Sequence, residues 1–300
     1  MATDALAQAR PARPRAVAET KALWDWLGLA PFFVFSAAFL LLPTAYLLWG
    51  SLQDKQGQFT LENVAGLFQP AILDAYWLSI QISVVTSLVG GVFGFLIAFA
   101  ITRLKTPHHV RTGFLTFSGV AANFAGVPLA FAFIATLGRT GFLTGVLKNT
   151  LGIDLYGYGF NLYSFLGISL TYMYFQLPLM VLIITPGIQG LRREWEEAAA
   201  SLGATPWQYW RHVGFPILLP SLLGTMILLF GNAFGAYATA FALTGGTFGL
   251  ATILIGRQIR GDVLQNPGLG YAVAAGMIFI MALCIGVYTL LQRRTERWLK

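Results

Sequence analysis

The sequence predicts an all-α integral membrane protein with six transmembrane helices, and three observations carry that prediction. The 300 residues are 56% hydrophobic and 10% charged, with a mean hydropathy of +0.67, a composition suited to lipid. Six apolar runs, at about 27–49, 78–101, 114–137, 162–188, 217–243 and 269–291, hold no Asp, Glu, Lys or Arg. Each exceeds the roughly 20 residues that a helix needs to cross about 30 Å of hydrocarbon. None shows the alternation of barrel strands, so each must satisfy its backbone hydrogen bonds internally, as a helix does.

In chain order, residues 1–26 are rich in Ala, Arg and Pro and are expected to form a disordered tail, because they bury too little apolar surface to order themselves. The run at 27–49 is longer than the roughly 7–15-residue core of a signal peptide, which predicts a retained first span. In the second run Ser79, Ser83, Ser87 and Gly91 recur every fourth residue, and Gly90 with Gly94 makes a GxxxG pair. Such a stripe lets backbones approach closely and places this helix in the bundle interior. Pro43, Pro128 and Pro178 fall inside the first, third and fourth runs, where each removes a donor and is expected to kink a helix. The membrane domain is expected over 27–291, with a core at 78–291 and a polar loop at 189–215. Residues 292–300 form a second tail. The single cysteine, Cys284, excludes an internal disulfide and a multi-cysteine metal site.

Charge predicts orientation. Fourteen Lys and Arg lie in the N-terminal tail, the second loop, the fourth loop and the C-terminal tail, against five (Lys55, Arg139, Lys148, Arg257 and Arg260) on the other side. The positive-inside rule then makes both termini and the loop at 189–215 cytoplasmic. The net charge of +7 reports topology and requires no nucleic-acid partner.

The fourth loop is readable almost residue by residue. From Arg192 to Leu202 the chain holds good helix formers, with Glu194, Glu196 and Glu197 placed early, where the helix dipole favours them. Gly203 supplies a left-handed stop. Thr205 then stands as N-cap, Pro206 at the first helical position and Gln208 where a capping box needs it. Two short helices meeting at a stiff corner, Gly203-Ala204, are predicted. Ala198, Ala199 and Gly203 leave little bulk, so a partner surface can approach. Trp207 and Trp210 suit either the lipid interface or a protein contact.

Several chemistries are excluded. No phosphate-binding loop is present: Lys148, between Leu147 and Asn149, lacks the glycines and Ser or Thr of that motif. The runs carry no ionisable residue of the kind that proton- or ion-coupled carriers place at mid-membrane. They hold no nucleophile and base pair either, and His108, His109 and His212 lie outside them, so the chain reads as no enzyme and implies no cofactor or metal. Polar groups within the runs that suit a translocation path are Asn123, Tyr172, Gln176, Asn232 and Tyr237. Each serves equally well as a helix–helix hydrogen bond, worth about 1 kcal/mol in membranes.

Glu197-Ala198-Ala199, three residues, Gly203, nine residues, Val213, one residue and Phe215-Pro216 resembles the loop signature of binding-protein-dependent ABC-transporter permeases. Val213 and Phe215 stand where Ile and Leu are usual. The resemblance covers about 78–291 and implies that the loop is a coupling helix seated in an ATP-hydrolysing subunit, through Glu197, Ala198, Ala199, Gly203, Ala204, Val213 and Pro216. It further implies a cytoplasmic ABC ATPase dimer, a second permease (identical or related), an extracytoplasmic solute-binding protein and a place in the lipid bilayer of a bacterial inner membrane. The segments 234–246 and 253–259 look like those of permeases for polyamines and related small organic solutes, whose charge the faces of Tyr172 and Tyr237 could meet by cation–π contact. The alternative is an ion- or proton-coupled secondary transporter, or a channel, working without an ATPase.

Overall fold

The computed structural model describes residues 28–103, 107–260 and 266–296, the last three by backbone alone. The expected tail at 1–26 lies outside them, as do residues 297–300 of the second tail, whose first part, 292–296, instead continues the last helix. Among the described residues the regular structure is helical, apart from one antiparallel bridge between Gln53 and Phe59. Six helical stretches among the described residues are long and apolar enough to cross a membrane.

The chain divides into two compact units at Gly50. The first holds α1, Gly28–Gly50. Its Phe32, Phe39 and Leu41 are 66%, 69% and 67% exposed, an apolar surface that belongs against lipid. Pro43 does not simply kink it. Ala37–Leu41 forms a π-turn, closed by the Leu42 N–H on the Ala37 carbonyl, two residues before the proline. The wider turn gives room to a ring that would otherwise press on the carbonyl four residues back.

The second unit contains α2 (Glu62–Gly66), α3 (Pro70–Arg103), α4 (His108–Asn123), α5 (Val127–Leu137) and α6 (Phe142–Leu151). It continues with α7 (Phe165–Gln189), α8 (Arg193–Ser201), α9 (Pro206–Phe234), α10 (Ala238–Thr244), α11 (Ala251–Arg260) and α12 (Pro267–Glu296). The second span thus begins at Pro70, eight residues before the apolar run, because proline is favoured at a helix start.

Two expected runs are not single helices. The run at 114–137 breaks at 124–126: Phe124 leaves helical geometry, Gly126 takes φ +76°, and Pro128 lies in the first turn of α5. Pro128 therefore kinks nothing, because an N-terminal turn has no internal hydrogen bond for it to break. The apolar stretch that qualifies as the third span is Val127–Leu151, made of α5 and α6. The run at 217–243 likewise ends as helix at Phe234 and resumes as α10. Pro178 does sit inside α7, together with Pro186.

The interior stripe of α3 is as expected. Ser79, Ser83, Ser87, Gly90, Gly91 and Gly94 are all buried. A methyl group added at Gly94 would stand 2.6 Å from Met180 Cβ and 2.9 Å from the Leu177 carbonyl oxygen of α7, and one at Gly91 would stand 3.1 Å from Met226 of α9. Close approach, rather than flexibility, is what these glycines supply. Ser79 has a second role: its Oγ accepts the Ala251 N–H at 2.9 Å, capping the start of α11 from another helix.

Candidate functional site

The polar stretch between α7 and α9 folds into an elbow. Helix α8 carries Glu194 and Glu196 in its first turn, where their charge complements the dipole. It ends in a Schellman closure, with the Gly203 N–H on the Ala200 carbonyl at 2.9 Å and the Ala204 N–H on the Ala199 carbonyl at 3.0 Å. Gly203 adopts φ +80°, a conformation strained for any residue with a Cβ. Across the corner, Thr205 Oγ1 accepts the Gln208 N–H at 3.3 Å and Gln208 Oε1 accepts the Thr205 N–H at 2.7 Å, the expected capping box, with Pro206 following the cap.

The second arm is more than a short helix. From Pro206 it runs unbroken into the fifth span, passing a π-turn at Trp210–Gly214 that again precedes a proline by two residues, here Pro216. Val213 lies in this π-turn. The second arm of the elbow is therefore the end of a membrane helix.

Glu197, Ala198 and Gly203 are exposed, Ala199 and Ala204 half-buried. At the corner Leu202 is 89% exposed and Trp207 72%, an apolar tip facing outward. Trp210 turns inward, its ring edge-on to Phe99 of α3 at 5.0 Å. Arg103, the last residue of α3, lies 5.9 Å above that ring and donates to the Leu191 carbonyl at 3.2 Å. Its guanidinium is 3.6 Å from a Glu196 carboxylate oxygen. Beside this contact is a cleft of about 720 Å³ lined by Arg103, Arg111, Arg193, Glu196 and Glu197 among others.

A second cleft, of about 490 Å³, opens where the two broken runs meet. The breaks at 124–126 and 235–237 are tied together by the Gly126 N–H, which donates to Thr239 Oγ1 at 2.8 Å. Asn232 and Tyr237 line this cleft with Gly126, Phe175, Gly235 and Thr239, and among the described residues none that lines it is charged. Tyr172 and Gln176 do not line it. They are 1% and 0% exposed and donate to the Ala236 and Leu229 carbonyls at 2.7 and 2.8 Å, holding the end of α9 against α7. Asn123 is exposed and bonds back to the Gly119 carbonyl of its own helix. Tyr237 stacks on Phe241 at 5.2 Å, and the Arg260 guanidinium lies 5.7 Å from its ring centre. Thr239 and the two glycines escaped the sequence reading, although a glycine inside an apolar run is a signal of a break.

Residues 77–299 match the family described as binding-protein-dependent transport system inner membrane component. The chain belongs to this family of ABC-transporter permeases. The permease is 27% identical to the spermidine/putrescine transport system permease protein PotB of Haemophilus influenzae, over 90% of this chain and 96% of that protein. It is also 27% identical to the sulfate transport system permease protein CysW of Escherichia coli K12, over 91% and 89%. A probable sulfate permease, cysT of Nephroselmis olivacea, is 28% identical over 74% and 72%. The fold of the present chain resembles the crystal structure of a bacterial ABC transporter involved in the import of the acidic polysaccharide alginate, with a TM-score of 0.68 at 18% identity, covering 96% of this chain and all of that one. The protein is thus a multi-pass membrane permease subunit of an ABC importer.

Proposed function

We propose that this permease forms half of a solute pathway and receives mechanical work through the elbow at 197–203 from an ATPase dimer on the cytoplasmic side. On this reading both termini share that side, as the excess of Lys and Arg there suggests. The single observation that carries the reading is the continuity of Pro206–Phe234, which joins a corner with an exposed Leu202 to a membrane span. Glu197, Ala198, Ala199, Gly203 and Ala204 form the docking surface, while Val213 and Pro216 lie on the shaft behind it. The apolar tip and the low side-chain bulk suit burial in a partner's groove.

Closure of the ATPase dimer would move the elbow and α9, and with α9 the broken segment at 235–237 beside the cleft. Asn232 and Tyr237 are the retained path residues; Tyr172 and Gln176 act as helix–helix fastenings. A second permease completes the pathway, and a separate binding protein selects the solute, since an uncharged cleft offers only weak contacts. The solute is small and polar. A polyamine remains supported by the likeness to PotB, and sulfate equally by the likeness to CysW. With Arg260 beside one ring and Tyr172 buried, neither aromatic face expected to meet a cation is open for it.

The test is uptake by the assembled transporter in liposomes, with sulfate and spermidine as separate arms. Gly203→Leu is expected to leave insertion intact and to uncouple ATP hydrolysis from uptake; undiminished uptake defeats the coupling assignment. Flux through this chain alone, without ATPase or binding protein, would favour the channel or carrier instead.

A further inference from the structure

We propose that Arg103 is a positioning residue that clasps both arms of the elbow to the end of α3, so that α3, α7 and α9 answer to the ATPase together. The proposal rests on the coupling role assigned to the elbow. Three contacts from one side chain carry it: Arg103 holds the entry of the elbow at the Leu191 carbonyl, the first arm at Glu196 and the second arm at Trp210. The other two spans have their own links to the elbow, since α7 leads into it and α9 leaves it. Helix α3 has none in sequence, and its last residue supplies one.

The chemistry explains why an arginine stands there. At the C-terminus of α3 a cation complements the helix dipole. The Arg103 side chain is 15% exposed, and its Nε is buried with no partner among the described residues, so the flat group is wedged between the arms rather than free in the cleft. The ion pair contributes least, because the Glu196 side chain is 51% exposed and surface pairs are screened. Stacking on an indole together with a carbonyl hydrogen bond needs a planar, multiply donating group, which lysine does not offer. The clasp is stiff at its other end as well, because Gly94 brings α3 against Met180 of α7.

The experiment uses the whole transporter in liposomes and reads solute accumulated per ATP hydrolysed. Arg103→Ala is expected to lower this ratio by about two- to thirtyfold, the range over which residues along coupling networks act, with the amount of assembled complex unchanged. Arg103→Lys recovers part of the loss, and Glu196→Gln changes the ratio by less than about twofold. Spin labels at Leu96 and Leu202 of the Cys284→Ser chain read the elbow directly: a narrow distance distribution is expected with Arg103 and a broadened one with alanine. An unchanged ratio or an unchanged distribution in Arg103→Ala overturns the clasp. Should the alanine variant fail to assemble, full coupling in Arg103→Lys overturns it. If Gly203→Leu leaves the ratio intact, the coupling role of the elbow falls, while the spin-label distances still decide the clasp.

Discussion

Gly94 shows how much a single missing methyl group sets in this bundle. Alanine there meets Met180 Cβ at 2.6 Å and the Leu177 carbonyl at 2.9 Å, and neither a backbone oxygen nor a carbon bonded directly to the backbone swings aside cheaply. Gly94→Ala is expected to destabilise the packed α3–α7 pair by about 1–3 kcal/mol, the cost of overpacking, read as a lower thermal midpoint in detergent. Gly113, which has open space around it, is the control and should barely respond. The stripe was legible because small residues at every fourth position define a face without reference to any partner. The roles of Tyr172 and Gln176 were not, since one sequence does not tell which face of α7 meets α9. Tyr172→Phe should cost about 1 kcal/mol through the lost bond to the Ala236 carbonyl while leaving solute affinity unchanged. Away from the spans, the Lys148 ammonium donates to Asp154 at 2.8 Å and holds that carboxyl below the usual carboxylate range. Its small stabilisation is present above about pH 4 and lost as pH falls through the lowered value. The thermal midpoint of Asp154→Asn should therefore lie slightly under that of the parent at neutral pH and merge with it in acid.

At the scale of elements, the corner of the elbow is legible in the sequence because every part of it is local: a glycine stop, an N-cap, a proline and a glutamine at fixed offsets; the continuation of its second arm into the fifth span is not. The breaks in the third and fifth runs were missed because hydropathy averages over a glycine, and a run of apolar residues looks the same whether or not its helix is continuous. Both π-turns, at Ala37–Leu41 and Trp210–Gly214, precede a proline by two residues, a regularity visible only once the hydrogen bonds are known. The corner itself makes a sharp prediction. Nothing lies within 4 Å of a Cβ placed on Gly203, so strain there comes from the positive φ and not from crowding. Gly203→Ala should cost about 1–2 kcal/mol of local stability, and Gly203→Asn should be milder, because asparagine tolerates the left-handed region. Hydrogen exchange at the Gln208 amide, which the capping box protects, should rise in the order glycine, asparagine, alanine. An equal rise for both variants would mean that side-chain bulk, rather than backbone conformation, disturbs the corner.

For the whole molecule, charge predicts which end faces the cytoplasm. The sequence count assigns fourteen basic residues to one side and five to the other, and such a bias is expected to hold the bundle in place at insertion, since translocating the richer side is disfavoured. On that count the elbow, with Arg192, Arg193 and Arg211, is expected on the richer side, and the loop after α6, with Asp154 and Tyr158, on the poorer one. Single cysteines at Leu202 and Tyr158, 89% and 80% exposed, placed in a Cys284→Ser chain, turn this into a measurement. A membrane-impermeant maleimide added to intact cells should label the cysteine at 158 and spare that at 202; inverted vesicles stripped of the ATPase should reverse the pattern. The ATPase adds a second layer to the same assay, because a corner buried in a nucleotide-binding subunit loses reactivity even in inverted vesicles, and regains it when that subunit is stripped away. Labelling of the cysteine at 202 from outside intact cells would place the elbow beyond reach of any cytoplasmic ATPase, and the coupling mechanism would fall with the orientation.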